Sequence, residues 1–545
     1  MDTHFAIAER AIQWQIENGG SLSHLSYKVE VIFDTKKKHN IYPMAATNIE
    51  ANENYVINSP GFFGYFENLK EIPVQVEFEK PEYFYASTPL QSTTSTPSTD
   101  KFELSSIHDL YDKPIMYSVA DTATIKVGNC DVLFSLYSPN KMIHAYEIAD
   151  VMKPVLNAAK SYLGGKLPVN KYAFIYYFHK SGNNKSFIPG IGGALEHTTS
   201  SFYYLPEGKG EKLKNLLADV STHEFFHIIT PLTIASREVK LFNYDEPHLS
   251  EHLWLYEGTT EYTAQYLQER YGLISQQEFL NRMSGKIRNS KTQYNDSLPF
   301  TLLSRESAGK YNNEYGNVYQ KGALIACCLD IYLLHLSKGA YSLRNLTHDL
   351  GKKYGVNKAF LDNNLFDEIT SMTYPEVREF FSKYVEGSNP LPYDYFFGLA
   401  GINYIPKEET EGFSFGKISF DANENGTLKV KGSSHFDEFG KSMGYKTGDE
   451  IYSFNGIEVN ASNVFNLIDT IKSTMRVGED FVAKVGRKNK DGVIDTLILK
   501  SPIFKVKTTT LYKLEPMKNL TEEQLNVQKA WLTDETDKKY VAGLN

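Results

Sequence analysis

The stretch His223-Glu224-Phe225-Phe226-His227 constrains this chain more than any other. It lies in Leu213–Ile229, a segment whose apolar residues recur at helical spacing and which Pro231 ends. Side chains four residues apart lie on one face of an α-helix, so both imidazoles can bind one metal ion. The pattern predicts two zinc ligands with a general base, Glu224, between them. The alternative is a helix with two buried histidines and an unrelated glutamate.

Composition limits the class of protein. A chain of 545 residues is long enough for roughly three or four domains. Its 41% hydrophobic and 23% charged residues are typical of a globular protein. The net charge of −9, without a dense basic block, predicts no nucleic-acid partner. No apolar run is long enough for a transmembrane segment, and three cysteines indicate neither a disulfide framework nor a cysteine zinc site.

Hydrophobic periodicity changes along the chain and predicts a multidomain protein. Strand-like alternation, as in Tyr27–Phe33 and Val74–Phe78, occupies the first part. A helical pattern at Glu147–Leu163 starts the second part, whose later half is dominated by helical signals. The predicted divisions are an all-β N-terminal domain (1–145), an α+β domain with a helical second half (146–405), a small β-rich domain (411–505) and a polar C-terminal tail (506–545).

Two histidines need a third protein ligand, and Glu257 is the candidate. It lies in the apolar helical pattern that begins at Leu253, and Glu261 follows four residues later on the same helical face. One carboxylate can bind zinc while the other accepts the free N–H of a ligand histidine, which fixes the ring. A solvated acidic face is the alternative for both glutamates. The rival ligands Asp245, Glu246 and His248 lie in a turn-rich linker and would give a less rigid site.

Four motifs in this order resemble a known family. H-E-x-x-H followed by W-L-x-E-G-x-x-E-Y at Trp254–Tyr262 resembles the gluzincin metallopeptidases. Gly193-Ala194-Leu195-Glu196-His197 is similar to the exopeptidase segment of gluzincin aminopeptidases, and Tyr319–Leu324 is similar to their Tyr-x-Lys-Gly segment. Together with Gly444–Gly456, these motifs resemble the glycyl aminopeptidase family. The resemblance implies a β N-terminal domain, a thermolysin-like catalytic domain over 146–405 and a PDZ domain over 411–505.

The resemblance also implies roles for individual residues. Gly193 and Ala194 would bind the substrate backbone, Glu196 the free α-amine, and Tyr319 the oxyanion, around one zinc ion. Without the resemblance, Tyr319 is one of 37 tyrosines and suits a helical core equally well. The implied activity is hydrolysis of the first peptide bond of peptides with small N-terminal residues, glycine or alanine. Glu224 would take a proton from zinc-bound water and return it to the departing amine.

Two other functions remain open from the sequence. A zinc endopeptidase could use the same ligands and recruit substrates through the PDZ-like region, and a non-catalytic peptide-binding protein could keep the fold. The PDZ-like region predicts capture of peptide or protein chain ends, with Gly412–Gly416 as a carboxylate-binding loop; a purely structural or dimer-forming role is the alternative. Without a disulfide framework the chain suits the cytoplasm or a Gram-negative envelope. The envelope is preferred, with an export signal missing from this sequence.

Overall fold

The protein has two compact units, Met1–Tyr404 with Leu514–Asn545, and Ile405–Lys513. The computed structural model describes residues 16, 19–33, 41–180, 192–241, 248–422, 426–432, 434–460 and 463–532. The first unit contains a β-rich N-terminal part and an α/β catalytic part. None of the helices in these described ranges has the length and apolar character that crossing a membrane requires.

Two antiparallel sheets form the N-terminal part. Its elements are β1 (Asn48–Glu50), β2 (Asn54–Ile57), β3 (Val74–Glu79), β4 (Tyr85–Ser87), β5 (Thr94–Ser95), β6 (Thr99–Leu104), α1 (Ile107–Tyr111) and β7 (Ile115–Ser118). The strand orders are β1-β2-β7-β4 and β3-β6-β5. Inward-facing residues of both sheets, including Ile57, Phe102 and Tyr117, share one core. The strand predicted at Tyr27–Phe33 is wrong, since described residues 22–31 have no regular secondary structure.

A five-stranded mixed sheet begins the catalytic part. Its elements are β8 (Thr122–Val127), β9 (Cys130–Tyr137), α2 (Ala145–Tyr162), β10 (Lys171–His179), β11 (Gly193–His197) and β12 (Ser200–Pro206). The strand order is β11-β12-β10-β9-β8, in which β10 is parallel to both neighbours and β11 is antiparallel to β12. The predicted boundary at residue 145 assigns β8 and β9 to the N-terminal domain, whereas their hydrogen bonds join them to this sheet.

Helices and one π-helical turn make up the rest of this unit. They are α3 (Glu211–Phe226), α4 (Arg237–Lys240), the π-helix Trp254–Gly258, α5 (Thr259–Arg270), α6 (Gln276–Gln293), α7 (Phe300–Glu306), α8 (Asn317–Leu336), α9 (Leu343–Lys353), α10 (Leu365–Met372), α11 (Glu376–Tyr384) and α12 (Tyr393–Leu399). In α8, every residue from Lys321 to Ile331 is buried.

Strand β10 explains how the sheet holds the motif helix. Its sequence is nearly continuous in apolar residues, as expected for a strand covered on both faces. Ala173, Ile175 and Tyr177 pack against the N-terminal part. On the opposite face, the Tyr172 ring meets Phe225 of α3 at 5.1 Å, and the Tyr176 hydroxyl lies 2.8 Å from Ser221 Oγ. The sheet therefore fixes one face of α3 and leaves the other for the site.

The second unit has its own core and sheet. Its elements are β13 (Ile402–Gly412), β14 (Ser419–Ala422), β15 (Leu428–Gly432), α13 (Glu438–Met443), β16 (Glu450–Phe454), β17 (Ile457–Glu458), α14 (Val464–Thr474), β18 (Asp480–Lys488), β19 (Ile494–Pro502) and β20 (Val506–Pro516). The main strand order is β14-β15-β16-β18-β19, and β17 pairs with β16. Buried Asp449 accepts two hydrogen bonds at 2.8 Å from Arg487, which fixes the turn before β16.

The C-terminal residues return to the first unit. Helix α15 (Glu522–Trp531) ends in a fully buried tryptophan, Trp531, whose indole N–H donates to the Tyr262 hydroxyl at 2.8 Å. Tyr262 in turn donates to Asp330 at 2.6 Å. The tail predicted over 506–545 is described up to Leu532, and this part contains β20 and the packed helix α15. The remainder of the tail lies outside the described residues.

Candidate metal centre and active site

Helix α3 ends between the two motif histidines, His223 and His227. The α-helix runs to Phe226, and His227 still has helical dihedral angles as the residue that follows it. His223 and His227 therefore keep the spacing of one turn, and their rings meet edge to face with centroids 4.7 Å apart. The predicted helix end at Ile229 is three residues too late, but the two imidazoles lie on one face as expected.

Three side chains converge on one point, as a metal ion requires. His223 Nε2 lies 3.1 Å from His227 Nε2 and 3.2 Å from Glu257 Oε2, and the distance from His227 Nε2 to Glu257 Oε2 is 3.6 Å. Ligand atoms around a tetrahedral zinc ion are separated by roughly 3.3–3.5 Å, given bonds of about 2.0–2.2 Å. The separations therefore fit a first-row divalent ion held by two imidazoles and a carboxylate.

Both imidazoles are held from their outer nitrogens. Nδ1–H of His223 donates to Glu261 Oε2 at 2.9 Å, and Nδ1–H of His227 donates to the Thr230 carbonyl at 2.9 Å. Such bonds fix the tautomer in which each Nε2 lone pair points at the ligand position. Both predicted glutamates thus reach His223, Glu257 at one ring nitrogen and Glu261 at the other.

Glu257 is carried by a π-helical turn, Trp254–Gly258, that continues into α5. Such turns widen the helix locally and are frequent at functional sites. At Gly258 an added Cβ would lie 2.5 Å from the Gly322 carbonyl carbon, and at Gly322 one would lie 2.9 Å from the Gly258 Cα. Two glycines therefore let this turn and α8 cross at backbone contact. The close crossing brings Tyr319, one turn before Gly322, to the same site as Glu257.

Tyr319 lies beside the ligand residues. Its ring centroid is 5.7 Å from that of His223, and its hydroxyl is 3.1 Å from the hydroxyl of Tyr315, an exposed residue. Burial, reinforced by the negative charge of Glu257, raises the pKa of Tyr319 well above its ordinary value. The phenol is therefore protonated at neutral pH and can act as a hydrogen-bond donor.

Glu224 and Glu196 form a second acidic group next to the ligands. Oxygen atoms of the two carboxylates and a ring nitrogen of His227 all lie within 4.8 Å of one another. Oε2 of Glu224 is buried and accepts no hydrogen bond from a described residue. Burial raises the pKa of Glu224 to about 7, although His227 and His223 act against this rise. A divalent ion at the ligand position would lower that value.

Strand β11 carries Gly193, Ala194 and Glu196, of which Glu196 lies beside Glu224 and His227. Glu196 pairs in register with Ser201 of β12, and Gly193 with Tyr204. Asp112 holds the end of β11: its Oδ1 lies 3.6 Å from His197 Nδ1, and it accepts a hydrogen bond from the Thr198 backbone N–H at 3.1 Å. Despite burial, His197 and Lys113 hold the pKa of Asp112 well below its usual range.

Of the rival ligands, His248 lies elsewhere. It lines a cavity of about 360 Å³ together with Glu238, Glu251 and Asp362, and it contributes to neither of the candidate ligand groups among the described residues. Asp245 and Glu246 lie outside the described residues. Glu257 is thus the third member of the ligand group, and its role as a ligand remains a prediction.

Sequence reasoning missed Lys286, which supports Glu261. The Lys286 ammonium lies 2.6 Å from Glu261 Oε1, and the Gln265 side-chain amide donates to the same oxygen at 2.6 Å. Burial opposes ionisation, yet Lys286 and His223 lower the pKa of Glu261 to about 2. A signal was available in the sequence, because Lys286 falls on the apolar face of α6 between Met283 and Ile287.

Two segments match family models. Residues 7–119 match the Peptidase M61 N-terminal domain, and residues 216–325 match the domain described as M61 glycyl aminopeptidase. The second match covers α3 from Leu216 onward, the π-helical turn and Tyr319. None of the curated protein sequences matches the chain significantly.

Solved structures give a fold likeness. An aminopeptidase N family protein from Idiomarina loihiensis is 16% identical, with a TM-score of 0.62 over 90% of this chain and 85% of that one. Aminopeptidase A from Legionella pneumophila in complex with aspartic acid is 12% identical, with a TM-score of 0.43 over 85% of this chain and 46% of that one. An M1 zinc metallopeptidase from Deinococcus radiodurans is 14% identical, with a TM-score of 0.41 over 62% of this chain and 70% of that one. The first of these shares the overall fold.

Proposed function

We propose that this chain, a metallopeptidase of the aminopeptidase kind by its match to the M61 glycyl aminopeptidase model, uses one zinc ion to remove small N-terminal residues, glycine or alanine, from peptides. The observation that carries this proposal is the convergence of His223, His227 and Glu257 at distances of 3.1–3.6 Å beside Glu224 and Glu196. Imidazole and carboxylate ligands in this number suit catalytic zinc, which keeps one position open.

Zinc at this position supplies Lewis acidity, which makes water nucleophilic near neutral pH and polarises the scissile carbonyl. Glu224 is the general base: its buried Oε2, which accepts no hydrogen bond from a described residue, takes the proton of the attacking water. The same carboxyl group then delivers that proton to the departing amine. One carboxyl group can make both transfers, because it accepts and releases one proton in each turnover.

Tyr319 is the proposed oxyanion donor. Its hydroxyl keeps its proton at neutral pH, since burial and Glu257 both raise its pKa. A neutral donor placed where negative charge develops stabilises the transition state more than the ground state. A hydrogen bond between the hydroxyls of Tyr319 and Tyr315, 3.1 Å apart, holds the phenol in place.

Charge balance favours an aminopeptidase over an endopeptidase. Glu196, Glu224, Glu257 and Glu261 bring four carboxylates to one largely buried site. Lys286 supplies one positive charge and a divalent ion two. The α-ammonium group of a peptide N-terminus supplies a fourth when it pairs with Glu196, whereas an internal peptide segment would leave one charge uncompensated, which is costly in a buried site.

Gly193 and Ala194 are the proposed contacts for the substrate backbone. Their strand, β11, is an edge strand among the described strands, with β12 as its neighbour. A peptide can bind such an edge as an added strand through its main-chain groups. The turn Pro43–Ala45 limits the room there, because a Cβ on Gly193 would lie 1.8 Å from the Met44 methyl carbon. The proposed preference for glycine or alanine comes from the match to the M61 glycyl aminopeptidase model.

We further propose that residues 411–505 form a PDZ-like domain that takes peptide or protein chain ends. Strand β14 is an edge strand in the order of the described strands, and it begins three residues after the loop Gly412–Gly416 ends. Partly buried Phe413, Ile418 and Phe420 pack on the core beside it. An endopeptidase that recruits protein substrates through this domain is the second candidate function.

Metal analysis combined with turnover of glycyl and alanyl amides tests the proposal. We expect about one zinc per chain, a loss of 10²–10⁴-fold in kcat in Glu224→Gln with zinc retained, and no hydrolysis of N-acetylated peptides by the wild type. Unchanged catalysis in Glu224→Gln would refute the general base, and efficient cleavage of capped peptides would favour the endopeptidase.

Glu196→Ala separates the amine anchor from the rest of the site. Loss of a charge-assisted contact should raise KM or lower kcat/KM for free-amine peptides by about 10–100-fold, with zinc retained. Glu211→Ala, a substitution of an exposed glutamate in the first turn of α3, is the matched control. Free-amine peptides cleaved equally well by Glu196→Ala and the control would sink the anchor role.

A further inference from the structure

Lys286 is a buried cation whose environment is otherwise that of a helix core. It occupies the apolar face of α6, with Met283 and Ile287 as buried neighbours, and its side chain is 8% exposed. An ammonium group in such a position is costly unless it is paired and hydrogen-bonded. Its partner is Glu261 of α5, whose Oε1 lies 2.6 Å from the Lys286 ammonium. Packing of the core alone does not require a charged residue at this position.

The contacts of Glu261 are divided between its two oxygens. Oε1 receives the Lys286 ammonium and the Gln265 amide, both at 2.6 Å. Oε2 receives Nδ1–H of His223 at 2.9 Å. Because two donors engage Oε1, rotation of the carboxylate would break both bonds. The orientation of Oε2 toward His223 therefore depends on groups that do not touch the ligand position.

We propose that Lys286 is a positioning residue for the metal centre, which acts through Glu261 to hold the His223 ring and its Nε2 lone pair toward the ion. This inference rests on the proposed function, since it takes His223 as a zinc ligand. Lys286 keeps the Glu261 carboxylate oriented, Glu261 keeps the proton of His223 on Nδ1, and His223 thereby offers Nε2. Groups that orient ligand histidines typically change metal affinity by about 10–100-fold when they are removed.

Zinc affinity of the full chain, measured by competition with a chelator, tests the proposal without reference to catalysis. We expect Lys286→Met to bind zinc about 10–100-fold more weakly than wild type, and the visible absorption bands of the cobalt-substituted protein to shift. Arg282→Met is the matched control: Arg282 lies one turn away on α6 in a half-buried ion pair with Asp219 at 2.8 Å. It should keep wild-type affinity and spectrum.

A double-variant cycle distinguishes positioning from general stabilisation. If Lys286 acts through Glu261, adding Lys286→Met to Glu261→Gln should weaken zinc binding no further, since coupled residues are not additive. Losses that multiply, a Lys286→Met affinity equal to wild type, or an equal loss in Arg282→Met would each overturn the proposal. Should Lys286→Met fail to fold, Lys286→Gln, which keeps a donor but not the charge, gives the same comparison.

Failure of the proposed function would look different. A wild-type chain that binds no zinc would contradict the zinc site itself, whereas wild-type binding with an unaffected Lys286→Met contradicts the role of Lys286 alone. A wild type that binds zinc but cleaves no amide substrate leaves the affinity comparison valid. The two hypotheses therefore have separate outcomes.

Discussion

The two helices that form the metal centre reach it by different means. Helix α3 is a regular α-helix, and its histidines converge because four residues make about one turn. The second helix starts with the π-helical turn Trp254–Gly258, and its two glutamates contact opposite nitrogens of the same His223 ring. Regular spacing suffices for two proposed ligands on one face, whereas the proposed third ligand, Glu257, lies in a local change of helix geometry that closely approaches α8.

Glu224 and Glu261, one from each of these helices, also differ in their electrostatics. Burial raises the pKa of Glu224 to about 7, and Glu224 has a carboxylate oxygen without a hydrogen-bond donor among the described residues. For Glu261, Lys286 and His223 outweigh burial and bring the pKa to about 2. One carboxylate is suited to proton transfer and the other to permanent charge, because their hydrogen-bond partners differ.

The largest expected effect comes from removing one proposed ligand from each helix. We expect His227→Ala and Glu257→Ala both to lose stoichiometric zinc and with it activity, because two remaining ligands hold the ion weakly. Zinc content after dialysis and turnover of a glycyl amide are the measurements. His248→Ala is the control, since this histidine lies outside the ligand groups. Stoichiometric zinc retained in Glu257→Ala would show that the π-helical turn does not supply the third ligand.

The next effect concerns α8, which crosses the π-helical turn. Tyr319→Phe should lower kcat by about 10²–10³-fold, the typical cost of removing one oxyanion donor, while zinc content stays at the wild-type level. Tyr315→Phe removes only the hydroxyl that contacts Tyr319. It should cost much less. Equal kcat values in the two variants would argue against a direct role for Tyr319.

The smallest effect tests the crossing itself. Gly258→Ala puts a methyl group 2.5 Å from the Gly322 backbone, which cannot yield as a side chain would. We expect the unfolding free energy to fall by about 1–3 kcal/mol, together with weaker zinc binding as Glu257 shifts. Gly285→Ala on α6 is the control, because its nearest neighbour is the mobile end of Arg288 at 3.8 Å. A Gly258→Ala protein as stable as this control would mean that the crossing adjusts freely.

Much of the centre follows from local sequence. Spacing on one helix determines that His223 and His227 share a face, and the apolar residues around Glu257 and Glu261 predict that these carboxylates turn inward. Short-range patterns also predicted α2 and β3, because hydrophobic periodicity is a local property. At Tyr27–Phe33 the same alternation failed, since a strand needs a partner that the local pattern does not supply.

Tertiary structure decided the rest. Strands β8 and β9 join the catalytic sheet because β10 pairs with β9, a contact that no local pattern encodes. Trp531 belongs to the core because Tyr262, far away in the sequence, receives its N–H. Lys286 reaches Glu261 only through the packing of α6 against α5. The sequence by itself determined which groups can bind a metal ion, and packing between distant segments decided their orientation, their charge balance and their access to a substrate.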